Sequence, residues 1–153
     1  MKLAIGADHR GAGSAKLLAD RLQSQGHEIT VLGITCGEIA DYTDPAYAVG
    51  RAVASGVADR GILIDGTGLG VSIAANKVAG VRAALVHDEL TAEISRTHND
   101  ANVLCMSADL LGQRLIEKIV DVWLATPFQG GRHERRLRKL CAIEAGEDPS
   151  TVV

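Results

Sequence analysis

The chain predicts an α/β fold, a doubly wound parallel sheet of five strands flanked by helices, and three observations carry that expectation. Gly61-Ile62-Leu63-Ile64 is a short continuous apolar run, the pattern of a strand buried on both faces of a parallel sheet. Asp65-Gly66-Thr67-Gly68-Leu69-Gly70 follows at once, and Val71 to Lys77 reads as the opening of a helix. Strand and helix patterns then alternate through five units, which places helices on both faces of the sheet. At 153 residues the chain fits one domain with a core of ordinary size. Residues 1–145 are expected to form that domain, ending in a C-terminal helix, and 146–153 a polar, frayed tail.

In order, Lys2 to Ala7 is the first strand, and Gly11 to Gln25 carries Leu17, Leu18 and Leu22 at helical spacing, stopped by Gly26. Glu28 to Leu32 alternates as the second strand. A loop from Gly33 to Asp44 ends with Asp44 as a helix cap and Pro45 at the first helical position, for a helix to Ser55. Arg82 to Val86 is the fourth strand. Asp88 caps a helix to about Arg96, and Val103 to Met106 is the fifth strand. Asp109 to Ala125 is a long amphipathic helix with Leu111, Leu115, Ile119 and Val122 on one side. Pro127, Gly130 and Gly131 break the pattern, and Arg132 to Ala145 is a last, highly charged helix.

Composition narrows the function. With 46% hydrophobic and 23% charged residues the chain reads as globular. Aromatics make up 3%, too few for the stacking platforms of single-strand nucleic-acid binders, and a formal charge of −3 gives no basic footprint. No apolar run approaches the length of a membrane span, and Met1 to Gly11 lacks a signal-peptide layout, so the expected location is cytoplasmic. Cys36, Cys105 and Cys141 are widely spaced with no C-x-x-C pair, which argues against a disulfide framework or a structural zinc site and reads as buried free thiols.

In open parallel sheets ligands bind beyond the carboxyl ends of the strands, where the connection order reverses. That rule gathers Asp8-His9-Arg10-Gly11, Asp41-Tyr42 and Asp65 to Gly70 at one crevice. Gly66-x-Gly68-x-Gly70 is not the G-x-G-x-x-G dinucleotide fingerprint, and no Gly-Lys-Ser/Thr follows it, so NTP hydrolysis and a dinucleotide cofactor are disfavoured. Three glycine amides beside the Thr67 hydroxyl suit an enolate oxygen or a phosphate; they equally suit a tight turn that needs glycine only for its backbone angles. His9 reads as a catalytic or a core histidine, and His98 as a site residue or a favourable cation at a helix end. Arg132 and Arg136 share one helix face, as a phosphate clamp or as part of a solvated charge run.

Together these residues resemble the type B ribose-5-phosphate isomerase family, which also includes the bacterial galactose-6-phosphate isomerase subunits. The resemblance runs through nearly the whole chain. It rests on Gly6-Ala7-Asp8-His9-x-Gly11, Asp41-Tyr42, Gly61-Ile62-Leu63-Ile64, Gly66-Thr67-Gly68-x-Gly70 and Ser72-Ile73-Ala74-Ala75-Asn76-Lys77. It continues through Arg96-x-His98-Asn99-Asp100-x-Asn102-Val103-Leu104 and Gly130-Gly131-Arg132-His133-x-x-Arg136. It implies a Rossmann-like domain, a homodimer or a tetramer with active sites shared between subunits, no metal or other cofactor, and aldose–ketose isomerisation of a sugar phosphate through an enediolate. His98 would help open the sugar ring and Asp8 would hold sugar hydroxyls or the ring oxygen. Thr67 and the amides of Gly66, Gly68 and Gly70 would steady the enediolate oxygens. Tyr42 and Asn99 would line the sugar site, and His9, Arg132 and Arg136 would face the phosphate.

The chain departs from that family twice. One branch uses a cysteine base at the position of Asp65, another a glutamate at the position of Val71; neither base is present. Asp65 is then the base, since a carboxylate can transfer the same proton, or else a ligand of substrate or turn in a non-catalytic relative. Many relatives also carry a phosphate-binding arginine after the fifth strand, where this chain has Ser107-Ala108-Asp109. Asp109 either caps the following helix or marks a changed substrate: a shorter phosphorylated sugar, another orientation, or a sugar without phosphate. Ribose 5-phosphate to ribulose 5-phosphate is the expected reaction, with a different sugar or a sugar-phosphate sensor as alternatives.

Overall fold

The computed structural model describes residues 1–33 and 39–152; Cys36 and Gly37 lie outside the described residues. Their order is β1 (Lys2–Ala7), α1 (Ala12–Ser24), β2 (Glu28–Val31), α2 (Thr43–Ala54), β3 (Arg60–Asp65) and α3 (Leu69–Ala75). Then come β4 (Ala83–Leu85), α4 (Glu89–Thr97), β5 (Val103–Ser107), α5 (Gln113–Ala125), α6 (Arg132–Glu144) and a 3-10 turn at Pro149–Thr151. Among the described residues five strands form one sheet, all parallel, in the order β2-β1-β3-β5-β4.

The two-residue period of the strands sorts their side chains into two cores. Leu3, Ile5, Ile62, Ile64, Leu104 and Met106 face a layer built from α1, α4 and α5, centred on Leu18, Ala92, Ile116 and Trp123. Ala4, Leu63, Val103 and Cys105 face the opposite layer, where α2 and α3 contribute Val49, Val53, Val71 and Ala75. Burial on both sides is why β3 reads as an unbroken apolar run rather than an alternation. The order reverses between β1 and β3, since β1 leads outward to β2 and the chain then returns to β3 on the other side. A ligand crevice is expected above that point.

Four sequence expectations are corrected. Helix α2 starts at Thr43, so Asp44 lies in its first turn and does not cap it. Helix α5 starts at Gln113 and not at Asp109, because residues 107–110 are tied down onto the glycine turn instead. Cys141 is exposed, whereas Cys105 is buried as expected. The tail folds back: the Asp148 side chain accepts from the Ser150 amide at 2.8 Å, and Lys139 Nζ donates to the Pro149 carbonyl at 2.8 Å. Asp88 does cap α4, accepting from the Thr91 amide at 2.7 Å. Among the described residues no helix is long and apolar enough to cross a membrane.

Candidate active site

The turn between β3 and α3 is built around its own carboxylate. Asp65 ends β3 and is 4% exposed. Its Oδ1 accepts from the Thr67 amide at 2.9 Å and from the Gly68 amide, and its Oδ2 accepts from the Val71 amide at 3.1 Å. The Gly68 and Val71 amides are among those that the start of α3 leaves without backbone partners, so an anion inside the turn satisfies them. Gly68 adopts φ 80°, a left-handed conformation, and a Cβ there would lie 2.3 Å from Leu85 Cδ1. Thr67 is exposed, and its Oγ1 accepts from the Leu69 amide at 3.2 Å, which leaves the hydroxyl proton for another acceptor.

Neighbouring loops close in as the sheet order requires. The Tyr42 ring lies so close over Gly70 that a Cβ at Gly70 would be 2.8 Å from it. Asp8 is 7% exposed; its Oδ1 accepts from the amides of Arg10 at 2.8 Å and Gly11 at 2.9 Å, which bends the chain from β1 into α1. His9 is exposed beside it. Ser107, fully buried at the end of β5, donates through Oγ to the Gly66 carbonyl at 2.6 Å and accepts from the Leu110 amide at 2.9 Å. The amides of Ala108 and Asp109 donate to the carbonyls of Asp65 and Gly66, so β5 and its loop hold the turn in place. Arg10 pairs with Asp109 across this mouth, Nη2 to Oδ2 at 2.8 Å. Cys105 on β5 is buried, and burial together with the charge of Asp65 pushes its thiol far up, so it offers no thiolate beside Asp65.

A second group of expected site residues sits elsewhere. His98 follows the last turn of α4 and precedes β5, so it lies at the amino ends of the strands, while Asp65 and Ser107 mark the carboxyl ends. The ladder from Gly61↔Val103 to Asp65↔Ser107 alone separates those ends by about 13 Å at ~3.3 Å per residue. His98 stacks on His133 of α6 with ring centroids 4.2 Å apart and planes 9° apart. His133 is 2% exposed, and its charged form is disfavoured first by that burial and then by His98, Arg132 and Arg136. Arg132 and Arg136 are exposed one turn apart on α6, and Asn99 is exposed beside His98. The chain thus brings Asp8, His9, Tyr42, Asp65, Thr67 and the glycines together at one end, and His98, Asn99, Arg132 and Arg136 at the other.

Several residues that hold these groups had no assigned role in the sequence. Asp100, at φ 45°, accepts from Arg96 Nη1 at 2.7 Å and Arg82 Nη2 at 2.9 Å, so two guanidiniums fix the turn that presents His98 and Asn99. Arg96 is itself buried and also donates to the Ala101 carbonyl at 2.7 Å. A charged pair at i, i+4 in Arg96-x-His98-Asn99-Asp100 was the available signal. Ser107, Arg10 and His133 gave none beyond their positions. A cavity of about 410 Å³ opens near the His98 end, lined by Asn76, Arg82, Asn99, Leu140, Cys141 and Glu144 among others; it does not include the glycine turn. Among the described residues no group of three or more His, Cys, Asp or Glu side chains is placed to hold a metal ion.

Comparison with known proteins identifies the family of the chain and matches its fold. A family model described as Ribose/Galactose Isomerase matches residues 3–140. Ribose-5-phosphate isomerase B of Escherichia coli is 43% identical over 94% of this chain and 96% of its own length. D-erythrulose-4-phosphate isomerase of Pectobacterium atrosepticum is 37% identical over 96% and 97%. The solved structure of Clostridium thermocellum ribose-5-phosphate isomerase B superposes with a TM-score of 0.94 at 47% identity, covering 95% of this chain and 99% of that one.

Proposed function

Because the chain belongs to the ribose/galactose isomerase family, we propose that it interconverts ribose 5-phosphate and ribulose 5-phosphate through an enediolate, at a site completed by a second copy of the chain. One observation carries the reading. The glycine turn with Asp65 and Thr67, and the group His98, Asn99, Arg132 and Arg136, occupy opposite ends of one sheet, so neither end alone has both an oxyanion cradle and a phosphate clamp. A two-fold dimer apposes the carboxyl end of one copy to the amino end of the other. Exposed apolar side chains on α3 and α6, Leu69, Ile73, Leu140 and Ile143, supply surface for such an interface.

In that site His98 of the second copy gives a proton to the ring oxygen as its bond to C1 breaks and the C1 hydroxyl loses its proton to water, while Asp8 holds the sugar hydroxyls, and the ring opens to the aldehyde. Asp65 then takes the C2 proton, and the electrons of that C–H bond form the C1–C2 double bond of the enediolate. The Thr67 hydroxyl and the amides of Gly66 and Gly70 stabilise the developing oxygen charge; the Gly68 amide, expected to join them, instead donates to Asp65. The O2 hydroxyl proton passes to O1, and return of the proton from Asp65 to C1 then leaves the C2 carbonyl of the ketose. Tyr42 and Asn99 line the sugar, and His9, Arg132 and Arg136 take the phosphate. Three amides already hold the Asp65 carboxylate, which leaves roughly one of about four acceptor positions for substrate.

Those same three bonds favour a second reading, in which Asp65 is the turn's internal anion and the protein binds sugar phosphate without turning it over. Incubation in heavy water with ribose 5-phosphate separates them: an isomerase incorporates deuterium at carbon and forms ribulose 5-phosphate, and absence of both results overturns the proposal. The same assay on D-erythrulose 4-phosphate and on free ribose identifies the sugar, with kcat/KM expected to be highest for the five-carbon phosphate.

A further inference from the structure

We propose that Arg10, held by Asp109, is the guanidinium that takes the terminal phosphate on the glycine-turn side of the site; the inference rests on the isomerase reading above. The two residues are 99 positions apart and come from the loops after β1 and β5, yet they meet directly over the first glycine of the turn. A Cβ on Gly66 would lie 3.1 Å from Asp109 Oδ2 and 3.7 Å from Arg10 Cγ. Arg10 spends Nε, at 3.2 Å, and one Nη2 hydrogen, at 2.8 Å, on the single oxygen Oδ2. A guanidinium has five N–H donors, so three remain, in a plane already fixed at one edge. The side chains are 56% and 39% exposed, which keeps those donors within reach of a ligand. An exposed pair of this kind adds little stability, so packing gives no reason for a guanidinium to be anchored here.

The charges at this mouth make the same point. Asp8, Asp65 and Asp109 put three carboxylates around the turn. An anionic sugar entering it needs a neighbouring cation besides the exposed His9, and Arg10 brings one that stays charged at any working pH, held so by its bond to and the charge of Asp109.

The test uses the full chain. Arg10→Met is expected to raise KM for ribose 5-phosphate about 10- to 100-fold, the range of a lost charge-assisted contact, with kcat within about threefold of wild type. The double variant Arg10→Met with Asp109→Arg puts a guanidinium back on the facing loop and is expected to recover KM to within about fivefold. Inorganic phosphate serves as a probe that needs no turnover: its Kd, followed by phosphorus NMR, should weaken about tenfold in Arg10→Met. Unchanged KM and unchanged phosphate affinity in Arg10→Met overturn the inference. Phosphate binding that depends on Arg10 in a protein that turns over no sugar would instead uphold Arg10 and remove the isomerase reading.

Discussion

At the scale of single residues, the proposed base Asp65 is also the anion inside its own turn, and the two roles conflict. A base must approach the C2 proton through an uncommitted lone pair, while a turn anion must keep its bonds to Thr67, Gly68 and Val71. Asp65→Asn separates the roles because the amide oxygen still accepts at Oδ1, whereas the NH₂ group cannot accept from Val71. If Asp65 is the base, kcat falls about 10²- to 10⁴-fold with KM nearly unchanged. The lost Val71 contact costs about 1–3 kcal/mol of stability in either case. A melting temperature that drops while kcat per folded molecule stays near wild type would make Asp65 a turn anion only. The sequence pointed to this residue because an acid stands beside the glycine turn, where the resemblance implies a cysteine in one branch of the family. It gave no sign that the acid takes the Gly68 amide, one of the three proposed for an oxyanion, since that depends on the loop's path and not on its composition.

At the scale of elements, strands and helices were legible because periodicity and burial are the same fact: Ile62 and Ile64 face one core and Leu63 the other. The start of α5 was not legible. Asp109 has the residue type of a cap, but Ser107 and the Gly66 carbonyl hold its loop and shift the helix start to Gln113. The contact between α4 and α6 was hidden as well, since His98 and His133 are distant in sequence and each reads alone as a surface cation. That contact predicts a pH effect. His133 titrates below its ordinary value in the folded chain because burial, His98 and the two arginines oppose its charge. A group whose folded pKa is depressed contributes stability above its unfolded pKa, near ~6.5 for histidine, and loses it as pH falls through the folded value. Thermal stability should therefore decline as pH drops below about 6.5, and His133→Gln should flatten that part of the profile. An equally steep decline in the variant would assign the effect to other groups.

At the scale of the whole molecule, the sequence grouped residues into one expected site but did not show that they stand at opposite ends of one sheet. That separation follows from topology: a parallel strand begins where the preceding helix ends, so His98, just before β5, lies at the amino end of that strand and Ser107, its last residue, at the carboxyl end. A dimer of shared sites turns this into a complementation experiment. Take Asp65→Asn as a lesion of the carboxyl end and His98→Asn as a lesion of the amino end, each inactive alone. In a mixed dimer one site combines both lesions, and the other combines wild-type Asp65 from one chain with wild-type His98 from its partner. Random exchange makes half of the dimers mixed, each with one intact site of two, so equimolar mixing should restore about a quarter of wild-type activity. Dilution that dissociates the dimer should remove it. If each chain built its site from its own residues, every site in the mixture would carry one lesion and no activity would return.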